Sequence, residues 1–146
     1  MDCVMIPSVM GFRFLDHTAD VRFEVWAEDL RGLFVEAARA LFSIIVDLQT
    51  VRPEQERQIE VQEEGRDLLL VGWLNELLFL HDTEGFLFSE FEAMEVGPSR
   101  FVGRARGEVF DPERHEILLP VKAVTYHGLK VERTAGGFRA EIILDV

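Results

Sequence analysis

The chain contains only two stretches with the period of a helix, and this limits the folds that it can adopt. From Val21, apolar and charged residues alternate, as in a half-buried strand. Over residues 30–45, apolar side chains recur every three or four residues, which predicts an amphipathic helix with Asp29 as its N-cap. A second, more apolar stretch predicts a helix from Leu68 to about Leu80, capped by Asp67. Most of the remaining sequence has the pattern of strands and turns.

The strand-like segments, about seven in number, predict the fold class through their order. The alternation slips near Ser89, which predicts an irregularity in that strand. Gly103, Ala105 and Gly107 share one face of a later strand, and such small side chains predict that a helix packs closely there. A hairpin is predicted through residues 134–137. We therefore predict an α+β fold, with two main helices packed on a mainly antiparallel β-sheet.

The length of 146 residues fits one domain. We expect residues 1–11 to form a loosely held arm and residues 12–146 to form the domain. Cys3 is the single cysteine, so the chain has no internal disulfide, which favours a reducing compartment. The first ten residues resemble neither a signal peptide nor a spanning helix, so a cytoplasmic protein is expected.

The charge balance restricts the partners that the protein can bind. With 27 acidic and 15 basic residues, the formal net charge is −12. This charge repels phosphate backbones at long range, so strong direct binding of nucleic acid is not expected. It would attract a divalent cation or a basic protein partner. No membrane association is expected.

Carboxylates from opposite ends of the sequence form the candidate metal site. The polar segment Asp16-His17-Thr18-Ala19-Asp20 lies between apolar strand-like stretches, and the sequence closes with Leu144-Asp145-Val146. If the sheet brings these segments together, Asp20, Asp145 and a main-chain oxygen near Val146 could hold a hard cation such as calcium or magnesium. An aspartate at the end of a strand is more often a turn or cap residue, so that alternative stays open.

Other polar residues near strand ends have both a functional and a structural interpretation. Lys122 interrupts an apolar strand, either as a solvated outer-face residue or as a contact for a phosphate or carboxylate. His17 and His127 could transfer protons or bind metal, although lone histidines in such places are more often structural. The sequence has no HExxH, P-loop, GxGxxG, GxSxG or CxxC motif, so no enzyme class is indicated.

The motifs together resemble the archease family over nearly the whole sequence, from Phe12 to Val146. Each motif alone is weak, and their shared order makes the resemblance specific. They are Asp16-His17-Thr18-Ala19-Asp20-Val21, Leu33-Phe34-Val35-Glu36-Ala37-Ala38, Trp73-Leu74-Asn75-Glu76-Leu77-Leu78, His81-Asp82-Thr83-Glu84, Asp111-Pro112-Glu113-Arg114-His115, Val121-Lys122-Ala123-Val124-Thr125-Tyr126-His127 and Leu144-Asp145-Val146.

The resemblance implies a function that the residues alone do not indicate. Archeases are small acidic proteins that assist RtcB-type RNA ligases in tRNA splicing and RNA repair. These ligases join a 2′,3′-cyclic phosphate or 3′-phosphate end to a 5′-hydroxyl end, using GTP and a divalent metal. An archease speeds formation of the ligase–guanylate intermediate and supports multiple turnover, and it is not itself a ligase.

The resemblance also implies which residues act. It assigns a metal site to Asp20, Asp145 and the main-chain oxygen of Val146, with calcium as the expected ion and magnesium or manganese as alternatives. It places Lys122 in the functional cluster. Neighbours able to orient ligands are His17, Thr125 and His127.

Three hypotheses follow from the residues and the resemblance. The leading one is a metal-binding activator of an RtcB-type RNA ligase, without catalytic residues of its own. The second is a chaperone-like binding module for RNA-processing enzymes, whose aspartates are structural caps. The third is a metal-dependent phosphohydrolase, which is disfavoured because two aspartates and a lysine are few groups for that chemistry.

Overall fold

The computed structural model describes residues 10–15, 21–126 and 128–146. The arm predicted at the start of the chain lies mostly outside these ranges. In chain order, the elements are β1 (Gly11–Leu15), β2 (Val21–Ala27), α1 (Leu30–Ile45), a short 3-10 helix (Leu48–Thr50), β3 (Gln55–Gln62), α2 (Arg66–Glu84), β4 (Phe86–Val96), β5 (Arg100–Val109), β6 (Ala123–Val124), β7 (Val131–Thr134) and β8 (Gly137–Asp145).

The strands within the described ranges form two antiparallel sheets. The larger sheet has the order β1-β2-β8-β6, with β7 also paired to β8, and the smaller has the order β3-β5-β4. Both helices contact strands of both sheets, so they hold the sheets together. The predicted α+β fold is confirmed, and the strands are divided between two sheets, a division that local periodicity does not encode.

Helix α1 begins and ends where its sequence pattern predicts. The Asp29 side chain accepts a hydrogen bond from the Gly32 N–H at 2.7 Å, which confirms it as the N-cap. At the other end, the backbone becomes extended at Val46. The apolar face of the helix is buried, from Leu33 through Ile45.

Helix α2 is longer than predicted, and its predicted cap is wrong. It runs from Arg66 to Glu84 because the left-handed Gly85, at φ 75°, ends it. Gly65 occupies the N-cap position. The Asp67 carboxylate instead accepts a hydrogen bond from the Val131 N–H at 2.7 Å, so it fastens the start of β7 to the helix.

The predicted close approach of a helix to β5 is confirmed at Gly103. A Cβ atom there would lie 2.7 Å from the Phe101 ring and 2.9 Å from the Trp73 ring of α2. Trp73 also joins the two helices, because its indole N–H donates to the Phe34 carbonyl at 2.9 Å. The Phe34 and Phe101 rings stack with centroids 4.6 Å apart, so an aromatic cluster connects both helices to the smaller sheet.

Two further local predictions are confirmed. The register between β4 and β5 shifts between Phe88 and Glu90, where the alternation slips. Strands β7 and β8 form the predicted hairpin, with Thr134 opposite Gly137. Within the described ranges, no helix is both long and apolar enough to cross a membrane.

Candidate functional site

One end of the larger sheet gathers the described residues of the candidate site. At this end, Val21 of β2 pairs with Leu144 of β8, and Ala123 of β6 pairs with Asp145. Asp145 is the last residue of β8 and is exposed, and Val146 is 45% exposed. Asp145 is exposed, so its carboxylate is accessible to a ligand at this end of the sheet.

Three of the predicted site residues, His17, Asp20 and His127, lie outside the described residues. Asp20 directly precedes Val21 in the sequence, and Val21 is paired with the residue before Asp145. The meeting of Asp20 with Asp145 stays a prediction.

The segment that carries Lys122 lies directly against the end of β8. The Lys122 N–H donates to the Asp145 carbonyl at 2.8 Å. Ala123 is also the register partner of Asp145, so two successive residues lie opposite one, as in a β-bulge. The Lys122 side chain is exposed at this end of the sheet, which leaves its ammonium available to an anion.

Thr125 lies on the same face of the sheet as the Asp145 side chain. Its N–H donates to the Ile143 carbonyl at 3.0 Å, and residues two apart on a strand share a face. The Thr125 Oγ1 atom is buried, and no described residue forms a hydrogen bond with it. A buried hydroxyl without a partner costs free energy, so this oxygen is suited to receive a ligand or a donor.

Ion pairs cover the neighbouring part of this sheet face. Arg22 is the register partner of Ile143, and its guanidinium lies 3.6 Å from the Glu141 carboxylate. Deeper along the face, burial opposes ionisation of Glu24, but hydrogen bonds from Arg139 and Arg13 outweigh it and lower the Glu24 pKa. The face therefore alternates in sign, and Asp145 lies at its end.

The described residues suit a hard cation in chemical type. They contribute the Asp145 carboxylate, the Thr125 hydroxyl and main-chain oxygens, which are the donors that calcium and magnesium prefer. Among these residues, no group of three or more His, Cys, Asp or Glu side chains converges as a metal site. A complete ligand set would therefore have to include residues beyond those described, such as Asp20.

Sequence reasoning did not identify Asn75, which contacts the segment between Lys122 and Thr125. Its side-chain amide bonds to both backbone groups of Val124, at 2.9 and 3.1 Å. The available signal was the polar pair Asn75-Glu76 within a mostly apolar stretch of α2, too weak to predict a partner almost fifty residues away.

The motif at residues 111–115 has a structural role. The Asp111 N–H donates to His115 Nδ1 at 2.9 Å, so the ring proton is on Nε2, which lies 2.9 Å from the Glu108 carboxylate. Burial opposes ionisation of Glu108, but hydrogen bonds from the Arg52 N–H, Arg114 and His115 outweigh it and lower its pKa to about 2. These groups fasten a surface loop to the end of β5.

Comparisons with known proteins agree with this fold. A protein archease from Methanopyrus kandleri is 47% identical over 142 residues, which are 94% of this chain and 100% of that protein. The solution structure of Methanobacterium thermoautotrophicum protein 1598 has a TM-score of 0.81 at 41% identity, covering 93% of this chain and 99% of that one.

A crystal structure of a Thermotoga maritima archease, described as a possible chaperone, has a TM-score of 0.61 over 100% of both chains. At 19% identity, this second structure supports the fold alone. The model of the Archease protein family (MTH1598/TM1083) matches residues 12–146. With a family model spanning nearly the whole sequence, the chain belongs to the archease family.

Proposed function

We propose that this protein is a metal-binding accessory factor that activates an RtcB-type RNA ligase. The observation that carries the proposal is the strand pairing that holds Lys122 against Asp145, with Thr125 on the same sheet face as Asp145. The family resemblance assigns Asp145 to its metal site and Lys122 to its functional cluster, with Thr125 as a neighbour able to orient ligands. On this proposal the protein promotes guanylylation of the ligase and multiple turnover, and it has no catalytic residues of its own.

The side chains at this end of the larger sheet are suited to bind a nucleotide in the ligase pocket. Asp145, with Asp20 and the main-chain oxygen of Val146, would hold a divalent cation, calcium or alternatively magnesium or manganese. When bound, such a cation offsets the negative charge of phosphate groups. The exposed Lys122 ammonium adds a second positive charge nearby, and the Thr125 hydroxyl can orient a ligand by hydrogen bonding.

The charge of the protein supports a complex in which the ligase, and not this protein, binds the RNA. The net charge of −12 disfavours direct RNA binding, so the RNA substrate would be held by the ligase. Docking would place only the end of the sheet around Asp145 near the nucleotide. We expect the protein and the ligase to meet in the cytoplasm.

A chaperone-like binding module is the second candidate. Several large apolar side chains are exposed, including Phe79 at 58%, Tyr126 at 56%, Phe14 at 55% and Leu118 at 54%. Where exposed apolar side chains are contiguous, they form surfaces that contact other proteins. In that case the stimulation of a partner would not depend on metal or on Asp145.

Single-turnover guanylylation of a purified RtcB-type ligase, at limiting GTP and metal, separates the two candidates. We expect the protein to accelerate the step, and Asp145→Ala to abolish the acceleration without unfolding the protein. Glu64→Ala, which removes an exposed carboxylate elsewhere, is the control and should keep full acceleration. Full acceleration by Asp145→Ala at the same limiting metal concentration would favour the chaperone-like module. No acceleration by the wild type would refute the proposed function.

A further inference from the structure

Helix α2 contacts strand β6 through an amide that imitates a neighbouring strand. Asn75 Nδ2 donates to the Val124 carbonyl at 3.1 Å, and the Val124 N–H donates to Asn75 Oδ1 at 2.9 Å. One side chain thus satisfies both backbone groups of a single residue. A paired strand satisfies these groups in the same way, with one donor and one acceptor.

Among the described strands, β6 pairs with β8 on one side and with no strand on the other. Its backbone groups that face away from β8 therefore need another partner. The Lys122 and Thr125 N–H groups point toward β8 and donate to its carbonyls. The Val124 N–H and carbonyl point away from β8, toward Asn75. Val124 is only 2% exposed, so water has little access to its backbone groups. Leaving them unpaired would cost free energy, and a strand of two residues has few other contacts to offset that cost.

The helix side of the contact is anchored in the core. Two residues before Asn75, Trp73 is fully buried and bonded to the Phe34 carbonyl. Leu74 and Leu77 on either side are also fully buried. The amide therefore projects from a fixed element of the core toward a short strand that has little stability of its own.

We propose that Asn75 is a positioning residue for the functional cluster. It fixes Val124, and through Val124 it fixes the nearby Lys122 and Thr125 against the end of β8. This proposal rests on the proposed function. In it, Asn75 contacts neither the ligase nor the nucleotide. Its loss would release β6 from the core while α2 and the rest of the fold stay in place.

Two substitutions at position 75 separate the loss of the Asn75–Val124 hydrogen bonds from the loss of the fold. Asn75→Ala removes both hydrogen bonds. Asn75→Asp keeps the size of the side chain, but its carboxylate, when ionised, cannot donate to the Val124 carbonyl and repels it. When protonated, the same carboxyl group has one O–H donor and one acceptor and can rebuild both bonds. Glu76→Ala, at the exposed next position of the helix, is the matched control.

The first measurement is amide hydrogen exchange, which does not depend on the ligase. We expect protection of the Val124 N–H to fall at least tenfold in Asn75→Ala, with the Leu77 and Leu78 amides of α2 unchanged. In Asn75→Asp, Val124 protection should be low at neutral pH and recover as the pH is lowered toward 4. Glu76→Ala should match the wild type throughout. Unchanged Val124 protection in Asn75→Ala would overturn the claim that Asn75 holds β6 through Val124.

The second measurement is acceleration of ligase guanylylation by the same variants. We expect Asn75→Ala, and Asn75→Asp at neutral pH, to accelerate the step at least tenfold less than the wild type or Glu76→Ala. Full acceleration by Asn75→Ala despite lost Val124 protection would overturn the positioning role. A wild type that gives no acceleration would refute the proposed function, while the exchange measurement would still decide whether Asn75 holds β6.

Discussion

Replacing Glu108 with glutamine should destabilise the protein in a manner that depends on pH. The Glu108 carboxylate accepts from the Arg52 N–H at 2.8 Å, from His115 Nε2 at 2.9 Å, and from Arg114. It joins the segment after α1, the end of β5 and the loop at residues 111–115. In Glu108→Gln, whichever way the amide is turned, its NH₂ group meets another donor.

The size of the effect follows from the number of bonds and their burial. Glu108 is 6% exposed and His115 is 4% exposed, so water replaces the lost contacts poorly. Breaking a buried charge pair by removing one partner costs roughly 3–5 kcal/mol. Because the Arg114 side chain is 31% exposed and can be rehydrated, we expect about 3 kcal/mol, at the low end of that range. For a domain of this size, the melting temperature would fall by roughly 6–12 °C.

The pH dependence has a definite sign. The folded-state pKa of Glu108 is about 2, below its ordinary value of 4.5. The ionised carboxylate therefore stabilises the fold above pH 4.5, and this contribution is lost as the pH falls from 4.5 toward 2. The difference in unfolding free energy between wild type and Glu108→Gln should be largest near neutral pH and shrink over that window.

Urea unfolding of both proteins from pH 7 down to pH 2 measures this difference. Glu113→Gln, an exposed glutamate in the same loop, is the control and should change stability by less than about 0.5 kcal/mol. A Glu108→Gln protein as stable as this control at pH 7 would refute the reasoning. So would a stability difference that stays constant down to pH 2.

Two further substitutions test the packing and the link between α2 and the hairpin. Gly103→Ala should destabilise the fold by about 1–3 kcal/mol, because the added methyl group would meet the Trp73 ring at 2.9 Å. Gly136→Ala, in open space, is the control in the same urea experiment, and equal stability of the two variants would contradict this packing. Asp67→Ala should cost about 1–2 kcal/mol and speed exchange of the Val131 amide, which loses its acceptor. Unchanged exchange at Val131 would show that this bond does not hold β7.

Features set by local sequence could be predicted, and α1 is the clearest case. Its apolar spacing, the Asp29 cap and the change to extended backbone at Val46 all act within a few residues of one another. The hairpin at residues 134–137 and the slip beside Ser89 are local in the same sense.

Features set by distant pairing could not be predicted. Asp67 has the sequence pattern of a helix cap, yet its carboxylate bonds to Val131, 64 residues later. Asn75 has no local feature that points to Val124, and the division of the strands into two sheets depends on which strands pair. Sequence reasoning identified Asp145 and Lys122 as candidate site residues, and their backbone contact became visible only with the strand register.

The central claim is that Lys122 and Asp145 act as one unit on the ligase. Comparison of two single variants in single-turnover guanylylation, at limiting GTP and metal, tests it most directly. Lys122→Ala and Asp145→Ala should each abolish the acceleration although each leaves the other residue in place, because the effect of residues that act as a unit is lost when either one is removed. Lys130→Ala, at an exposed lysine outside the cluster, should keep full acceleration. Folded Lys122→Ala or Asp145→Ala protein that accelerates guanylylation as well as the wild type would contradict the account.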